Sequence, residues 1–233
     1  MKTIGLLGGM SWESSIEYYR IINQAVKKRL GGLHSAQCLM YSVDFAEIEV
    51  LQHAGEWETL TQVMINAVSR LEQGGADCLL ICTNTMHRMA DQIESATSIP
   101  LLHIADATAD AVKAKGLHTV GLLGTRFTME GDFYKGRLEK EHGLKVLVPD
   151  NDDREIVHRI IYDELVQGEI RDSSREAYLD IITNLQNQGA EGVILGCTEI
   201  PLLVKQGDVD LPIFDTTTIH AEAAVKWALE EEN

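Results

Sequence analysis

Residues 74–85, GGADCLLICTNT, join two glycines, a short apolar run and a row of small polar side chains. Residues 188–199, QGAEGVILGCTE, repeat that order 114 positions later. Short apolar runs bounded by turn residues are typical of strands that are buried on both faces, as in parallel sheets. The polar residues that follow each run would then leave the sheet at its carboxyl end. The two segments therefore predict two equivalent strand-and-turn units in one chain.

Two further pairs of segments extend the repeat over most of the chain. TIGLLGGMS at 3–11 matches TVGLLGTRFT at 119–128, at an offset of 116 residues. IPLLHIADATADAVK at 99–113 matches LPIFDTTTIHAEAAVK at 211–226, at an offset of 112 residues. Blocks that recur in the same order at a nearly constant spacing indicate a duplicated architecture. We therefore expect an α/β protein of two pseudo-symmetric, Rossmann-like half-domains with mostly parallel sheets and an active-site cleft between them.

Helix-forming segments alternate with the apolar runs, which is the pattern of a parallel sheet covered by helices. Strands are predicted at 2–8, 36–43 and 77–82, and helices at about 14–29 and 58–73, whereas 44–57 is ambiguous. Ser11 or Ser14 is the candidate N-cap of the first helix. The first half-domain is expected to span 1–115 and the second 116–214. A C-terminal helix over 215–233 is expected to pack back on the first half.

The composition limits the classes of partner. A chain of 233 residues with 45% hydrophobic residues can bury the cores of two domains of roughly 100 residues each. The formal net charge of −16 argues against nucleic acid and against an anionic membrane surface, since both require a basic face. No apolar run approaches the roughly 20 residues that a membrane-spanning helix needs. The expected partner is a small molecule, and an anionic one would have to be bound by local donors.

Cysteines occur at positions 38, 78, 82 and 197, and no pair has C-x-x-C spacing. No set of His, Cys or carboxylate residues has convincing metal-ligand spacing either. We therefore predict a reduced, cytoplasmic protein without a bound metal. Cys38, Cys78 and Cys82 are expected to pack in the core, as free cysteines usually do. Cys197 differs from them because it directly follows a strand, in a Gly-Cys-Thr-Glu turn.

Thr83 and Cys197 occupy equivalent positions of the repeat, 114 residues apart. In open α/β sheets ligands bind just beyond the carboxyl ends of the strands, so a substrate in the cleft would meet both turns. That arrangement suits the movement of a proton from one face of a carbon atom to the other. A thiolate can act as the base, because local donors can lower the ordinary cysteine pKa of about 8.5.

Small polar residues of the two turns are the candidates for substrate binding. Asn84, Thr85 and Thr198, with the backbone amides, are suited to a carboxylate and to the enolate-like charge that forms when an α-proton leaves. Glu199 is suited to a substrate ammonium group. The alternative for Thr83, Asn84 and Thr85 is that they simply cap the following helix.

These segments resemble the aspartate/glutamate racemase family, whose members use no pyridoxal phosphate. The resemblance covers essentially the whole chain and rests on GLLGGMS, TNT, GLLGT and GCTEI. It implies a homodimeric, cofactor-independent racemase with aspartate or glutamate as the leading substrates. In the family's racemases both turns begin with cysteine; one thiolate removes a proton and the other thiol returns one on the opposite face. Cys197 would keep that role, whereas Thr83 stands where the other cysteine would be.

The presence of threonine at position 83, where the family's racemases have cysteine, predicts asymmetric catalysis. A threonine hydroxyl is far less acidic than a thiol, so it can donate or relay a proton but cannot serve as a base at neutral pH. The resemblance implies that Cys197 faces the α-hydrogen of the L-enantiomer. We therefore expect conversion from L to D, with little or no reaction from the D-enantiomer. Cys82 is not expected to replace the missing thiol, because neighbouring side chains on a strand face opposite ways.

The glycine-rich start GLLGGMS lacks the G-x-G-x-x-G pattern of dinucleotide binding. We instead expect Gly8, Gly9 and Met10 to let the backbone approach a small substrate closely. The parallel turn GTRFT contributes Thr125 as a binding residue, and Arg126 either compensates for a missing cation or lies at the surface.

Related racemases hold the distal carboxylate of aspartate with cations, one of them from the connection after the second strand. Residues 44–57 contain no Lys or Arg, so Gln52 or His53 is expected to take that place. His87 is expected at a helix start, and His103 and His220 are candidates for supporting groups behind the site.

Two other kinds of function fit the same residues. The superfamily scaffold also supports hydantoin racemisation, maleate isomerisation and arylmalonate decarboxylation. A single cysteine is compatible with decarboxylation, because that reaction needs only one proton delivery. Alternatively, the chain binds or senses an amino acid without catalysis, having lost one of the two cysteines.

Overall fold

The computed structural model describes residues 1–230, so the end of the expected C-terminal segment, 231–233, lies outside the described residues. Contacts between Cα atoms divide the chain into two compact units. Among the described residues, the first unit consists of Met1–Ile104 and His220–Glu230, and the second consists of Ala105–Ile219. Each unit is built around its own parallel sheet.

The strands and helices alternate along the described residues, as the sequence predicts. The strands are β1 (Ile4–Gly8), β2 (Cys38–Ser42), β3 (Cys78–Ile81), β4 (Thr119–Gly124), β5 (Lys145–Leu147), β6 (Gly192–Gly196) and β7 (Ile213–Asp215). The α-helices are α1 (Trp12–Leu30), α2 (Phe45–Ala54), α3 (Trp57–Gln73), α4 (Ala90–Glu94), α5 (Ile104–Ala114), α6 (Arg126–Glu130), α7 (Asp132–Lys140), α8 (Asn151–Asp163), α9 (Asp172–Asn187), α10 (Ile200–Leu203) and α11 (Thr216–Leu229). Short 3-10 helices span Thr85–Met89, Leu165–Gln167 and Gln206–Asp208. Within residues 1–230, every helix is too short or too polar to span a lipid bilayer.

The sheet of the first unit has β1 at its centre, paired in parallel with β2 on one side and β3 on the other. Leu101 forms a parallel bridge to Leu79 and so adds a fourth position beside β3. One face of the sheet shares an apolar cluster with α2, α3 and α4. The other face shares a cluster with α1 and with the part of α11 that begins at Ala221. Burial on both faces explains why β1 and β3 are continuous apolar runs.

The sheet of the second unit has the strand order β5-β4-β6-β7, and all neighbours are parallel. The position of β4 matches that of β1, and the positions of β6 and β7 match those of β3 and Leu101. Helices α8, α9 and α10 share an apolar cluster with β4 and β6. The matching strand orders confirm the prediction of an α/β fold with two pseudo-symmetric, mostly parallel half-domains.

Local sequence signals account for the helix ends near β1 and β2. Ser11, rather than Ser14, is the N-cap of α1, and its hydroxyl accepts a hydrogen bond from the Ser14 backbone N–H at 3.4 Å. The ambiguous segment 44–57 forms α2, which begins after Asp44 and ends at Gly55 in a left-handed conformation with φ of 74°. The helix between Asp44 and Gly55 has only ten residues. The apolar pattern therefore covers too few turns to identify a helix from the sequence.

Candidate active site

The second turn begins where β6 ends. β4 and β6 are neighbours, and their last residues, Gly124 and Gly196, face each other in the register. Thr125 and Cys197 therefore leave the sheet from adjacent strands, at its carboxyl edge. A Cβ atom on Gly124 would lie 2.9 Å from the Gly196 carbonyl oxygen, so glycine lets the two strand ends approach closely. Thr125 is buried and caps α6, with its hydroxyl oxygen accepting a hydrogen bond from Thr128 N at 3.4 Å.

Cys197, Thr198 and Glu199 form a hydrogen-bonded group. The Cys197 thiol donates to Glu199 Oε2 at 3.0 Å, and the Thr198 hydroxyl donates to the same oxygen at 2.7 Å. Glu199 is buried, with only 5% of its surface exposed, whereas Cys197 and Thr198 remain partly exposed. The buried carboxylate therefore accepts hydrogen bonds from two residues that are themselves only partly buried.

The electrostatics of this turn favour the protonated thiol. Burial of the Cys197 sulfur raises its pKa well above the usual range, and the negative charge of Glu199 raises it further. The net effect of the surroundings on this pKa is therefore upward. Backbone hydrogen bonds from Thr198 and Glu199 do lower it, but burial and the carboxylate outweigh them. Burial likewise raises the pKa of Tyr178, with added repulsion from Cys197, Glu164 and Glu199.

The hydrogen bond between Cys197 and Glu199 gives the thiol proton a direct route to the carboxylate. Transfer along that bond would produce a thiolate beside a neutral carboxylic acid. The like-charge repulsion that raises the pKa of Cys197 would then disappear. The arrangement therefore places a proton acceptor directly beside the thiol.

The first turn begins where β3 ends, at Ile81. Cys82 still belongs to the sheet, because its backbone N–H donates to Leu7 O at 2.9 Å. Its side chain is fully buried among residues of α1, such as Tyr18, and burial raises its pKa. Thr83, the next residue, is partly exposed. Cys82 thus packs in the core, as expected from the alternation of side chains on a strand.

The other cysteines of the first unit differ in burial. Cys78 is fully buried, as expected, and burial raises its pKa to about 12. Cys38 lies on the edge strand β2 and remains partly exposed, although it packs against the same apolar cluster. Cys38 therefore packs against the core, as predicted, but it is not fully buried.

Asn84 and Thr85 follow Thr83 and enter the 3-10 helix Thr85–Met89. Both side chains are buried, with 3% and 6% exposure. Asn84 is the N-cap residue by position, but its side chain makes no capping hydrogen bond to the helix. Helix capping by Asn84 therefore does not explain this turn.

Met10 lies near the carboxyl edge of the first sheet, and Gln52 lies in α2 of the same unit. Met10 follows β1 at a distance of two residues, and its side chain packs in the apolar cluster with Ile48 and Met86. Only its backbone is therefore suited to a polar substrate. Gln52 lies in the last turn of α2 and is buried, with 3% exposure. The first unit thus contains Met10, Gln52 and the Thr83 turn.

Two alternative site residues lie at the surface. Arg126 is about half exposed, with 49% of its side chain accessible, and forms an ion pair with Glu155. His53 is also exposed and lies 3.1 Å from Glu49 of the same helix. Of Gln52 and His53, the two residues expected in place of a cation, only Gln52 is therefore buried.

Sequence reasoning missed one feature of each turn. It assigned Glu199 to a substrate ammonium group and did not anticipate its bond to the Cys197 thiol. It placed His87 at a helix start, but the ring also contacts the Thr83 carbonyl oxygen through Nδ1 at 2.8 Å. The signal for the second feature is the spacing of four residues, which brings a side chain back over the preceding turn. Among residues 1–230, no group of three or more His, Cys, Asp or Glu side chains is arranged to hold a metal ion.

Comparison with known proteins supports the resemblance to aspartate/glutamate racemases. The family model described as Asp/Glu/Hydantoin racemase matches residues 7–224. A crystal structure of a proposed Asp/Glu racemase from Yersinia pestis is 57% identical, covers 99% of this chain and 100% of its own, and superposes with a TM-score of 0.93. An aspartate racemase homologue from Pyrococcus horikoshii is 36% identical, with 99% and 100% coverage and a TM-score of 0.86.

A curated relative, the broad specificity amino-acid racemase RacX of Bacillus subtilis, is 22% identical over 97% of this chain and 98% of its own. The family model spans nearly all of the chain, and the two solved structures match along its whole length. The resemblance inferred from the two turns is therefore confirmed. The chain belongs to the Asp/Glu/hydantoin racemase family, whose racemases are isomerases.

Proposed function

We propose that this protein is a cofactor-independent amino-acid racemase, with aspartate or glutamate as its substrate and Cys197 as the base. The observation that carries the proposal is the hydrogen bond of 3.0 Å between the Cys197 thiol and Glu199 Oε2, at the carboxyl end of β6. The thiol of a partly exposed residue, next to a buried carboxylate, is a nucleophile or base with its own proton acceptor. Family membership supports racemisation over other uses of such a pair.

The proposed reaction begins with transfer of the Cys197 proton to Glu199. The thiolate then removes the α-proton of the L-amino acid and becomes a thiol again. The resulting carbanion carries its charge on the substrate carboxylate oxygens, where Asn84, Thr85 and Thr198 are the proposed donors. Preorganised donors of this kind stabilise developing charge more strongly than water does. A proton added to the opposite face of the carbon completes the inversion.

Thr83 is the proposed source of that second proton, directly or through water. It is partly exposed and occupies the position equivalent to Cys197, 114 residues earlier. Because its hydroxyl is a weak acid, proton transfer on the Thr83 face is slow in both directions, as microscopic reversibility requires. After each delivery Thr83 regains a proton from solvent, and Glu199 releases to solvent the proton that it accepted. The proposed enzyme therefore converts L to D and exchanges the α-hydrogen of the D-enantiomer slowly.

Gln52, Thr125 and the Met10 backbone complete the proposed binding site. Gln52 is a buried polar side chain in the segment from which the resemblance implies a cation, so it is the candidate for the distal group of the substrate. An amide binds a carboxylate or a neutral polar group, which suits aspartate and glutamate and also tolerates other side chains. The broad specificity of the curated Bacillus relative supports testing neutral amino acids as well.

A homodimer is the proposed assembly, in the cytoplasm. Trp12, Ile16 and Tyr19 are spaced along one face of α1 and are 61%, 51% and 52% exposed, which supports an association surface on this helix. Sedimentation velocity tests the assembly: a single species at the monomer mass over the working concentration range contradicts it.

The function is tested with purified protein and separate L-aspartate, L-glutamate and neutral L-amino acids, followed by chiral chromatography. Pretreatment with hydroxylamine removes any adventitious pyridoxal phosphate. Accumulation of a D-amino acid supports the proposal. Release of carbon dioxide from arylmalonates without racemisation would instead assign a decarboxylase. Tight binding of an amino acid without any exchange of its α-hydrogen would assign a binding protein.

A further inference from the structure

Three buried histidines lie together in the first unit, behind the Thr83 turn. His87, His103 and His220 are 2%, 4% and 0% exposed. The ring centroids of His87 and His103 are 4.6 Å apart, and those of His87 and His220 are 5.8 Å apart, both in edge-to-face geometry. Buried ionisable groups are rare in a protein core unless they have a specific partner. The hydrogen bonds of His87 and His220 show which groups these two rings contact.

His87 is bonded through both ring nitrogens. Nδ1 lies 2.8 Å from Thr83 O, and Nε2 accepts a hydrogen bond from Ile104 N at 3.3 Å. A carbonyl oxygen can only accept, so Nδ1 carries the proton, and Nε2 must be unprotonated to accept from the amide. These two partners therefore fix a neutral His87 with a single tautomer, and they connect the Thr83 turn to the start of α5.

His220 has the opposite tautomer and supports the same cluster. Its Nε2 lies 2.6 Å from Leu102 O and therefore carries the proton, while Nδ1 lies 2.8 Å from the Tyr18 hydroxyl and accepts from it. Burial lowers the pKa of His220 to about 4, so this ring is neutral near physiological pH. Tyr18 belongs to α1, so the cluster joins α1, the chain at Leu102 and the Thr83 turn.

Both backbone polar groups of Thr83 are consequently held. Its N–H donates to Ile81 O at 2.8 Å, and its carbonyl oxygen accepts from His87. The second turn has no equivalent of His87, because the equivalent position, 114 residues later, is Pro201, whose side chain cannot donate a hydrogen bond. There the Cys197 carbonyl accepts a backbone hydrogen bond from Ile200 N at 3.3 Å. The histidine is thus specific to the half that carries threonine.

We infer that His87 is a positioning residue that orients Thr83 for proton delivery to the carbanion. This inference rests on the proposed function. A threonine hydroxyl is a poor acid, so delivery depends more strongly on its exact placement than delivery from a thiol does. Catalytic groups must be held within about half an ångström of the productive geometry. With both Thr83 backbone groups bonded, the direction of the hydroxyl is set by the rotation of one side-chain bond.

The test measures two rates in D₂O with the L-amino acid that the protein racemises. One rate is deuterium incorporation into the remaining L-substrate, which reports proton removal and return by Cys197. The other rate is formation of D-product, which reports delivery on the Thr83 face. The variants are His87→Phe, which removes both hydrogen bonds, and His87→Asn, whose amide N–H can replace the Nδ1 donor. His118→Asn, at an exposed position, is the control.

For His87→Phe we expect D-product formation to fall at least about tenfold while L-exchange falls less than about threefold, because only delivery loses its alignment. His87→Asn should recover part of the D-product rate, and His118→Asn should match the wild type. An equal fall of both rates, or no recovery with asparagine, would overturn the inference and leave His87 a purely structural role. Absence of both rates in the wild type would overturn the proposed function itself and this inference with it.

A second measurement keeps the inference testable when the Phe variant does not fold. Nitrogen–proton correlation spectra of the wild-type imidazoles report the tautomer of each histidine directly. We expect the Nδ1–H form for His87 and the Nε2–H form for His220 at neutral pH. An Nε2–H or doubly protonated His87 would break the bond to Ile104 N and contradict the assignment.

Discussion

The Thr83 turn and the Cys197 turn occupy the same place in two copies of one sheet, but their chemical environments are opposite. Cys197 donates to a buried carboxylate, and the charge of that carboxylate raises its pKa. Thr83 is held by a histidine that its two partners keep neutral. Duplication of a strand and turn therefore preserves the position of a residue but does not preserve its protonation chemistry. That difference is the physical basis for proposing one base in this enzyme rather than two.

The largest expected effect comes from removing the thiol of the second turn. Cys197→Ala should lower α-hydrogen exchange of the L-substrate by at least about a thousandfold, because the base is lost and no neighbouring group replaces it. Proton NMR in D₂O measures the exchange. Cys38→Ala, which removes the other partly exposed thiol, should leave the rate unchanged. Exchange in Cys197→Ala at more than a tenth of the wild-type rate would show that another base operates.

Removing the carboxylate next to Cys197 should have the next largest effect. Glu199→Gln should lower kcat for the L-substrate roughly a hundredfold, because the thiol loses its proton acceptor. Glu199 raises the pKa of Cys197, so its neutralisation should lower that pKa and shift the alkylation profile of Cys197 to lower pH. Peptide mapping after iodoacetamide treatment follows this cysteine separately from the others. Glu176→Gln, at an exposed position, is the control, and an unshifted profile in Glu199→Gln contradicts the proposed pair.

Restoring a thiol to the first turn should make the two halves more alike. Thr83→Cys should raise α-hydrogen exchange of the D-substrate about tenfold, since the new side chain can ionise where threonine cannot. The gain should remain limited, because this turn is backed by neutral His87 rather than by a carboxylate. Thr59→Cys, on the exposed surface of α3, controls for an added thiol in the same unit. No gain in Thr83→Cys would mean that the Thr83 face is not the face from which D-substrate reacts.

The smallest effect on activity is expected at Cys82, the neighbour of Thr83. Cys82→Ala should lower the free energy of unfolding by about 1 kcal/mol through lost packing, because the side chain is fully buried. Urea unfolding measures that change. Exchange of both enantiomers should remain at the wild-type level. A loss of exchange would indicate that Cys82 reaches the substrate, contrary to its place in the apolar cluster with Tyr18 and Ile22.

Much of the fold was predictable because the information is local and repeated. The apolar run predicted at 77–82 became β3 at Cys78–Ile81, and its counterpart became β6. Segment 44–57 was harder, because a ten-residue helix shows its period only about three times. Its capping signals, Asp44 and Gly55, were nevertheless present in the sequence. The offset of the repeat also identified Thr83 and Cys197 as equivalent residues.

The electrostatics of the site were not predictable in the same way. The pKa of Cys197 depends on which way the Glu199 side chain turns two residues later, and a sequence does not specify that rotamer. The bond from His87 to Thr83 O requires a 3-10 turn that brings residues four apart into contact. Both features arise from side-chain direction rather than from residue type. The proposed difference between the two turns rests on both features.

The most direct test of the account is a comparison of the two enantiomers with the unmodified protein. Proton NMR in D₂O follows initial loss of the α-hydrogen from L-aspartate and D-aspartate in separate samples, and then from the two enantiomers of glutamate. The account predicts rapid exchange from the L-enantiomer, accompanied by D-product, and much slower exchange from the D-enantiomer. Equal exchange rates from both enantiomers would contradict it, because they would require a second base on the Thr83 face.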